Sequence, residues 1–566
     1  MKTNRQMKIR RALYIIVVLF MLAVTGRTSA ACRYPKHEVR AVWLTTFAGL
    51  DWPHTKAVNE ASVMQQKKEL VDILDSLKKS NINTILFQTR VRATTLYPSA
   101  IEPWDACLTG KPGCAPGYDP LAFAVNECHK RGMEIQAWVV AMPVGKWTSH
   151  GCLKLRKRYP NLIVKRGDEG YINPANPVAA AYISSICTEI TKKYDIDGIH
   201  LDYIRYPETW WPKHSRRKGG EAERRAITDI VIAVGRSIKS IKPWVKLSCA
   251  AIGKYSDLMR HSSRGWNAFT KGCQDAQLWM ERGLIDQLYP MMYFRGNHFY
   301  PFAVDWAENK YGTAVAAGIG TYFLSPAEGG WPLDEIIRQT NVARKLGMGY
   351  AMFREKFLVN DVKGVYAYVK NELNPYPAMV PPMHNVTGAE PNAPSGLAVT
   401  TQGKHVTLSW LKNDTLPGGV LYNIYASRTA PVDIDDARNL IAARTTANRI
   451  TLDDCGQLYF AVTAVDRYGR ESAPAFLPHD SEQSQGFNFL LACDGRTLKL
   501  PDVSNELDAE FIVLKSLTGT IVATRPYKGA DIDVSRMAEG FYAVYSLAPK
   551  GIAHRLGFTM IRRKTR

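Results

Sequence analysis

Eight short apolar runs, each separated from the next by a stretch of helical periodicity, constrain the fold of this chain more than any other feature. The runs lie at 40–44, 84–88, 135–141, 198–202, 245–252, 287–293, 313–319 and 349–353. Between them, apolar residues recur three to four apart in 66–79, 121–131, 179–193, 224–241, 269–281 and 333–346. An apolar run without alternation is the mark of a strand covered on both faces, as in parallel sheets flanked by helices. Eight such units between residues 38 and 375 predict an α/β fold, a (β/α)8 TIM barrel, over an open doubly wound sheet. No GxGxxG follows the first run, which argues against a dinucleotide fold.

Beyond the barrel the periodicity changes. Residues 376–391 are a Pro-rich linker with Pro377, Pro381, Pro382 and Pro391. From 392 to 480 short alternating runs carry Trp410, Tyr422, Tyr425 and Tyr459, and they resemble a fibronectin type III module. Residues 485–566 read as another small β-sandwich, a sorting or accessory unit. Both units are expected to be dispensable for turnover of soluble substrates by the barrel.

Residues 1–31 have the form of a secretory signal peptide: Lys2, Arg5, Lys8, Arg10 and Arg11, an apolar core over 12–24, then small residues. Such a core is shorter than the ~20 residues of a membrane-spanning helix. Export to periplasm, outer membrane or medium is therefore expected. Cys32 would lie near the mature N-terminus, where a lipid anchor is one outcome, although Ser29 stands where lipoprotein signals usually carry Leu. The ten cysteines are too sparse for a disulfide scaffold. Cys107 and Cys114 are the best bridge candidates, and Cys249 reads as a buried thiol. No zinc-type CxxC pair occurs and the histidines are scattered, so neither metal nor cofactor is expected. The formal charge is +21, of which about +14 falls on residues 31–385. A basic barrel favours an acidic polysaccharide or cell-wall polymer. Export, and the lack of a nucleic-acid motif, argue against nucleic acid as the partner.

In a barrel of this kind the reacting groups come from the C-terminal ends of the strands. The first strand end offers Asp51 and Trp52, the second Gln88 and Arg90, and the third Trp138. The fourth offers Asp202 with His200, Tyr203 and Arg205. Tyr289 and Tyr293 follow from the sixth, Tyr322 from the seventh and Glu355 from the eighth. Aromatic faces, polar forks and two carboxylates make a sugar cleft, in which one carboxyl protonates the leaving oxygen and the other is base or nucleophile. Asp202 and Glu355 are the expected catalytic pair, and the rest are expected to bind substrate. The alternative for Asp202 is a structural pair with Arg205. For Glu355 it is a salt bridge to Arg90, Arg295 or Lys356. Asp51, Glu102, Asp105 and Glu208 fit loop caps or solvated charges. The fourth and eighth strands face each other, so a gap of ~6.5–9.5 Å (inverting) and one of ~5 Å (retaining) both remain open.

Several segments together carry a further resemblance: 39–44 (VRAVWL) with 51–53 (DWP), 83–88 (NTILFQ), 96–99 (LYPS), 117–121 (GYDPL), 129–133 (HKRGM), 197–202 (DGIHLD) and 352–355 (MFRE). In this order, over about residues 38–372, they resemble the glycosyl hydrolase-like family ten of exported bacterial barrel proteins. The resemblance implies a glycosidase acting on cell-wall or related glycans, with peptidoglycan strands stripped of their stem peptides as one candidate substrate. It carries over to Asp202 most directly and to Glu355 less so. The chain departs from the family where Tyr203 follows Asp202, since some relatives have a second Asp there, and at Arg90, where they can have Lys. A glycan-binding protein without catalysis is the rival reading.

Overall fold

In the computed structural model, residues 34–562 are described apart from 212–218, 260, 262–264, 385, 403–404, 413–415, 454–457, 478–490, 492, 501–510, 517–520, 528–530 and 548–552. The signal segment and Cys32 lie outside the described residues. No helix among the described residues is long and apolar enough to cross a membrane.

The eight runs form a closed parallel barrel. Its strands are β1 (Arg40–Leu44), β2 (Thr84–Arg90), β3 (Glu134–Val140), β7 (Gly198–Asp202), β8 (Lys246–Ile252), β9 (Gln287–Met291), β10 (Ala314–Ile319) and β11 (Gly349–Met352), and β11 pairs back onto β1. Alternation sorts the side chains. Val42, Leu44, Ile199 and Leu201 join the layer between strands and helices, whereas Ala41, Trp43, Leu86, Trp138 and Tyr289 fill the barrel interior. The helices begin on side-chain caps where the sequence supplies them: Asn59 caps Glu60–Lys79, Asp119 caps Pro120–Lys130 and Asn176 caps Pro177–Lys193. An antiparallel insertion of β4 (Pro143–Lys146), β5 (Ile163–Arg166) and β6 (Glu169–Ile172) interrupts the third βα unit, with the helix His150–Arg158 between β4 and β5. The sequence reading treats this stretch as loop, because strands of four residues leave too little periodicity to see.

After the barrel, β12 (Ser395–Gln402), β13 (His405–Leu411) and β16 (Arg449–Asp453) form one antiparallel sheet. β14 (Leu421–Ser427), β15 (Leu440–Thr445), β17 (Tyr459–Val465) and β18 (Ala475–Phe476) form a second. Trp410 from the first packs edge-on against Tyr422 of the second, 5.3 Å between ring centroids. Further on, β20 (Phe511–Ser516), β21 (Ile521–Pro526), β23 (Gly540–Leu547) and β24 (Ala553–Ile561) make another sheet. A two-stranded pair, β19 (Thr497–Leu498) with β22 (Ile532–Asp533), accompanies it.

The first β-unit is built into the floor of the barrel. Arg444 reaches Glu134 Oε1 at 2.9 Å and Asp197 Oδ1 at 2.6 Å, both groups belonging to the N-terminal ends of barrel strands. Lys246 meets the same Glu134 oxygen at 2.8 Å, and His129 Nε2 lies 2.9 Å from Asp197 Oδ2. Gly132 (φ +68°) lets the chains close up: a Cβ there would stand 2.2 Å from the Ala443 carbonyl oxygen. The Pro-rich segment is pinned as well, because Met379 exchanges backbone hydrogen bonds with Lys36 and Glu38. Its side chain packs among Tyr425, Val432 and Leu440. The expectation of a separable accessory unit does not anticipate this seam. The predicted Cys107–Cys114 bridge is absent: both thiols are free, Cys107 turned into the core and Cys114 exposed. Cys249 is a buried thiol, as expected.

Candidate active site

Asp202 ends β7 at the C-terminal mouth of the barrel and is 5% exposed. Trp138 Nε1, from the neighbouring β3, donates to Oδ2 at 3.1 Å. The backbone N–H of Tyr203 donates to Oδ1 at 2.6 Å. That second bond depends on Tyr203 standing at φ +49°, a left-handed conformation uncommon for a residue with a ring. Each oxygen keeps acceptor capacity for a further partner. Burial pushes the Asp202 pKa up, while Arg205, the Tyr203 N–H and the Trp138 indole hold it back. Arg205 stacks its guanidinium 4.4 Å from the Tyr203 ring centre and bonds Glu208 Oε1 at 2.9 Å. Glu208 is thereby attached to the same mouth, with half its side chain exposed.

An aromatic group covers the other side of the axis. Tyr293 stacks on Phe353 (5.3 Å) and meets Tyr322 (5.8 Å) and Trp43 (6.4 Å) edge-on. The buried Tyr293 hydroxyl finds no hydrogen-bond partner among the described residues. Burial and then the charge of Asp202 push its pKa up, so it remains a protonated donor near that carboxyl. Tyr322 is pushed up to about 12 by burial and Glu328.

Beneath Asp202 a polar relay fills the barrel. Trp43 Nε1 donates to His200 Nε2 at 3.1 Å, which places the His200 proton on Nδ1, facing Ser248 Oγ at 2.8 Å. Ser248 donates to Gln136, Gln136 to Gln287, and Tyr289 to Gln287. Burial pushes His200 down to about 3, so it is a neutral interior histidine that orients Trp43. His200 and Tyr289 are both fully buried and present no face to a ligand.

The remaining expected residues go elsewhere. Trp52 is fully buried, with its indole N–H on the Gln66 carbonyl, and it packs on Phe87 between barrel and helix. Gln88 uses its side-chain oxygen to accept from the Thr46 and Phe47 N–H groups, holding the loop after β1. Arg90 is bidentate to Glu102 and bonds the Val140 and Ala141 carbonyls, a fully buried structural fork. The salt bridge to Glu355 named as one alternative for that residue does not form, since Arg90 pairs with Glu102. Trp52 thus lies in the layer outside the strands and Arg90 inside the wall at the C-terminal end of β3, both fully buried with their donors bonded to the protein.

Glu355, 2% exposed, opens the helix Glu355–Val359. Burial and then the charge of Asp51 push its pKa well up, against Arg354 and Lys356. Asp51 accepts from Thr45 N at 2.8 Å and Arg354 Nη1 at 3.0 Å, and burial raises it too. Glu355 is therefore near enough to Asp51 for the charge of Asp51 to act on it. Sequence reasoning missed Ser248, Gln136 and Gln287, polar residues hidden inside apolar runs. It also passed over the Trp210-Trp211 doublet, which its position after a strand end could have signalled. Among the described residues no group of three or more His, Cys, Asp or Glu could hold a metal ion.

Residues 38–217 match the family described as Glycosyl hydrolase-like 10. The chain is 27% identical over 520 residues to Glycosyl hydrolase YngK of Bacillus subtilis (strain 168), covering 83% of this chain and 98% of that protein. With Glycosyl hydrolase DigH of Escherichia coli (strain K12) it shares 28% identity over 374 residues, 57% of this chain and 85% of that one. Among solved structures, the glycoside hydrolase domain of PgaB (BpsB) from Bordetella bronchiseptica is similar at 12% identity and a TM-score of 0.43. That similarity covers 60% of this chain and 99% of that domain. The family match and the named relatives class this chain with the glycoside hydrolases.

Proposed function

We propose that the chain is an exported glycoside hydrolase of an anionic bacterial cell-wall or related polysaccharide, with stripped peptidoglycan as the first substrate to try. One observation carries the mechanism: Asp202 is a buried carboxyl at the strand end, fixed by two N–H donors and short of one partner per oxygen. The two donors and Arg205 oppose the burial that raises its pKa, and Asp202 is read as the base or nucleophile at the anomeric carbon. The proton donor is read as Glu208, which Arg205 holds at the same mouth and which solvent and substrate reach. Glu355 is the second candidate, favoured by burial and the charge of Asp51, which both push its pKa up. Export rests on residues 1–31, with Cys32 as a candidate anchor, and the 392–480 unit is read as fibronectin type III-like.

Asp202→Asn is expected to lower turnover by about 10²–10⁴-fold, the usual scale for a group that moves a proton or attacks. Glu208→Gln should lose turnover of the natural glycan yet keep that of an aryl glycoside whose leaving group needs no proton. If Glu355→Gln alone shows this pattern, the donor is Glu355. A glycan-binding protein without turnover is the second reading, favoured by Tyr203 beside Asp202 and by the engagement of Arg205 with Glu208. It predicts binding without new reducing ends.

A further inference from the structure

We infer that a cavity of about 380 Å³ between β5–β6 and the loop leaving Asp202 is a second sugar subsite that takes a ring carrying a carboxylate. Arg166 and Asn173 line one side, and Tyr206, Trp210 and Trp211 line the other. The loop holding these aromatics begins at Asp202. Four residues of chain to Tyr206 reach at most ~14 Å, so the cavity is within range of another ring of the same glycan.

The chemistry of the lining selects its occupant. Tyr206 and Trp211 stack at 5.7 Å with 22° between their planes, and Trp210 stands edge-on to Tyr206 at 5.1 Å. These half-buried indoles offer the flat apolar faces on which sugar rings lie. The Arg166 guanidinium sits 4.6 Å from the Trp210 ring centre, which fixes its plane. Its Nε is shut off from solvent and has no acceptor among the described residues. Arg166 is only half-buried and has no salt bridge among the described residues, so a ligand carboxylate in the cavity can take a charge-assisted bond from its outer N–H groups. Asn173 accepts from Ala175 N at 3.2 Å, which leaves its NH2 end to donate. The one acid in the lining, Glu223, is engaged as a cap by the Gly220 N–H at 2.9 Å. The surrounding chain is basic: residues 146–166 hold Lys146, Lys154, Arg156, Lys157, Arg158, Lys165 and Arg166 and no Asp or Glu. Its field draws an anionic chain toward the cavity.

The inference rests on the glycosidase reading only for the direction in which the glycan runs, so its test is equilibrium binding without turnover. Calorimetry would compare an oligosaccharide from stripped peptidoglycan with its methylamide, whose carboxylates are neutralised, on the Asp202→Asn variant. The acid form is expected to bind about tenfold more tightly than the amide. Adding Arg166→Ala should remove that preference, and Trp210→Ala should weaken both forms alike. If Arg166→Ala does not fold, Arg166→Gln supplies the same comparison. Equal binding of acid and amide by the Asp202→Asn protein overturns the subsite, as does a preference that survives loss of Arg166. Wild-type reducing ends are read separately. Acid preference without cleavage keeps the subsite and sinks the glycosidase reading, whereas cleavage without acid preference does the reverse.

Discussion

At the N-terminal end of the barrel, Glu134 and Asp197 are almost wholly buried, and cations meet both: Lys246 and Arg444 on the first, Arg444 on the second, where His129 also bonds. At the C-terminal end, Asp202 and Glu355 are buried as deeply but have no salt bridge among the described residues. The pKa values part accordingly. Burial alone would raise Asp197, but Arg444, His129 and Arg467 outweigh it and hold the pKa low. At the other mouth burial wins, and Asp202 and Glu355 are raised. The same residue type in the same fold is thus a charge-paired anchor at one end and a buried carboxyl without a salt bridge at the other. Carboxyls kept out of balance in a barrel's C-terminal mouth point to function, and paired ones at its floor point to stability.

The comparison can be broken most forcefully at Arg444. Arg444→Ala leaves Asp197 without its main cation and Glu134 with Lys246 alone. Removing one partner of a buried pair typically costs about 3–5 kcal/mol. Urea unfolding of the barrel should show a loss of that size, with activity per folded molecule unchanged. Deleting 386–566 removes the same cation and should destabilise the barrel likewise. An unchanged barrel would mean that the seam is incidental.

A smaller effect differs in sign between the two ends. Asp197→Asn is expected to lower the melting temperature at neutral pH. Asp202→Asn should leave it unchanged or raise it, because a buried charge is removed where little compensates it. The pH dependence follows the same division. A depressed carboxyl such as Asp197 stabilises above the unfolded value near ~3.9, and that contribution is lost as pH falls toward its folded pKa. Raised carboxyls such as Asp202 and Glu355 act in reverse: the folded state holds the proton more tightly, so stability declines as pH rises from the ordinary carboxylate range through their folded values. Melting curves across mildly acidic to neutral pH should therefore be flatter for Asp202→Asn than for the wild type. The smallest effect is a surface control. Lys68→Ala removes an exposed i,i+4 pair with Asp72 and should change stability by at most about 0.5 kcal/mol.

The sequence announced one mouth far better than the other. Asp202 was legible because a buried strand ends on it, a local pattern of five residues. All eight barrel strands were legible for the same reason, with ends displaced by two residues at most. The floor was not: Arg444 meets Glu134 across 310 positions and Asp197 across 247, and no local pattern encodes such pairs. Trp52 and Arg90 read as open to substrate but are fully buried, because residue type shows what a side chain can bind, not which acceptor lies nearest. The interior relay of His200, Ser248, Gln136 and Gln287 escaped notice because its members satisfy one another where the pattern reads as apolar strand.

The central claim is that the Asp202 mouth cleaves glycosidic bonds. Mass spectrometry of products from stripped peptidoglycan strands and other polysaccharides, with the protein and its Asp202→Asn variant, tests it directly. The account predicts glycan fragments with the wild type and none with the variant. Equal fragmentation by both, or intact glycan binding with no fragments from either, would contradict it.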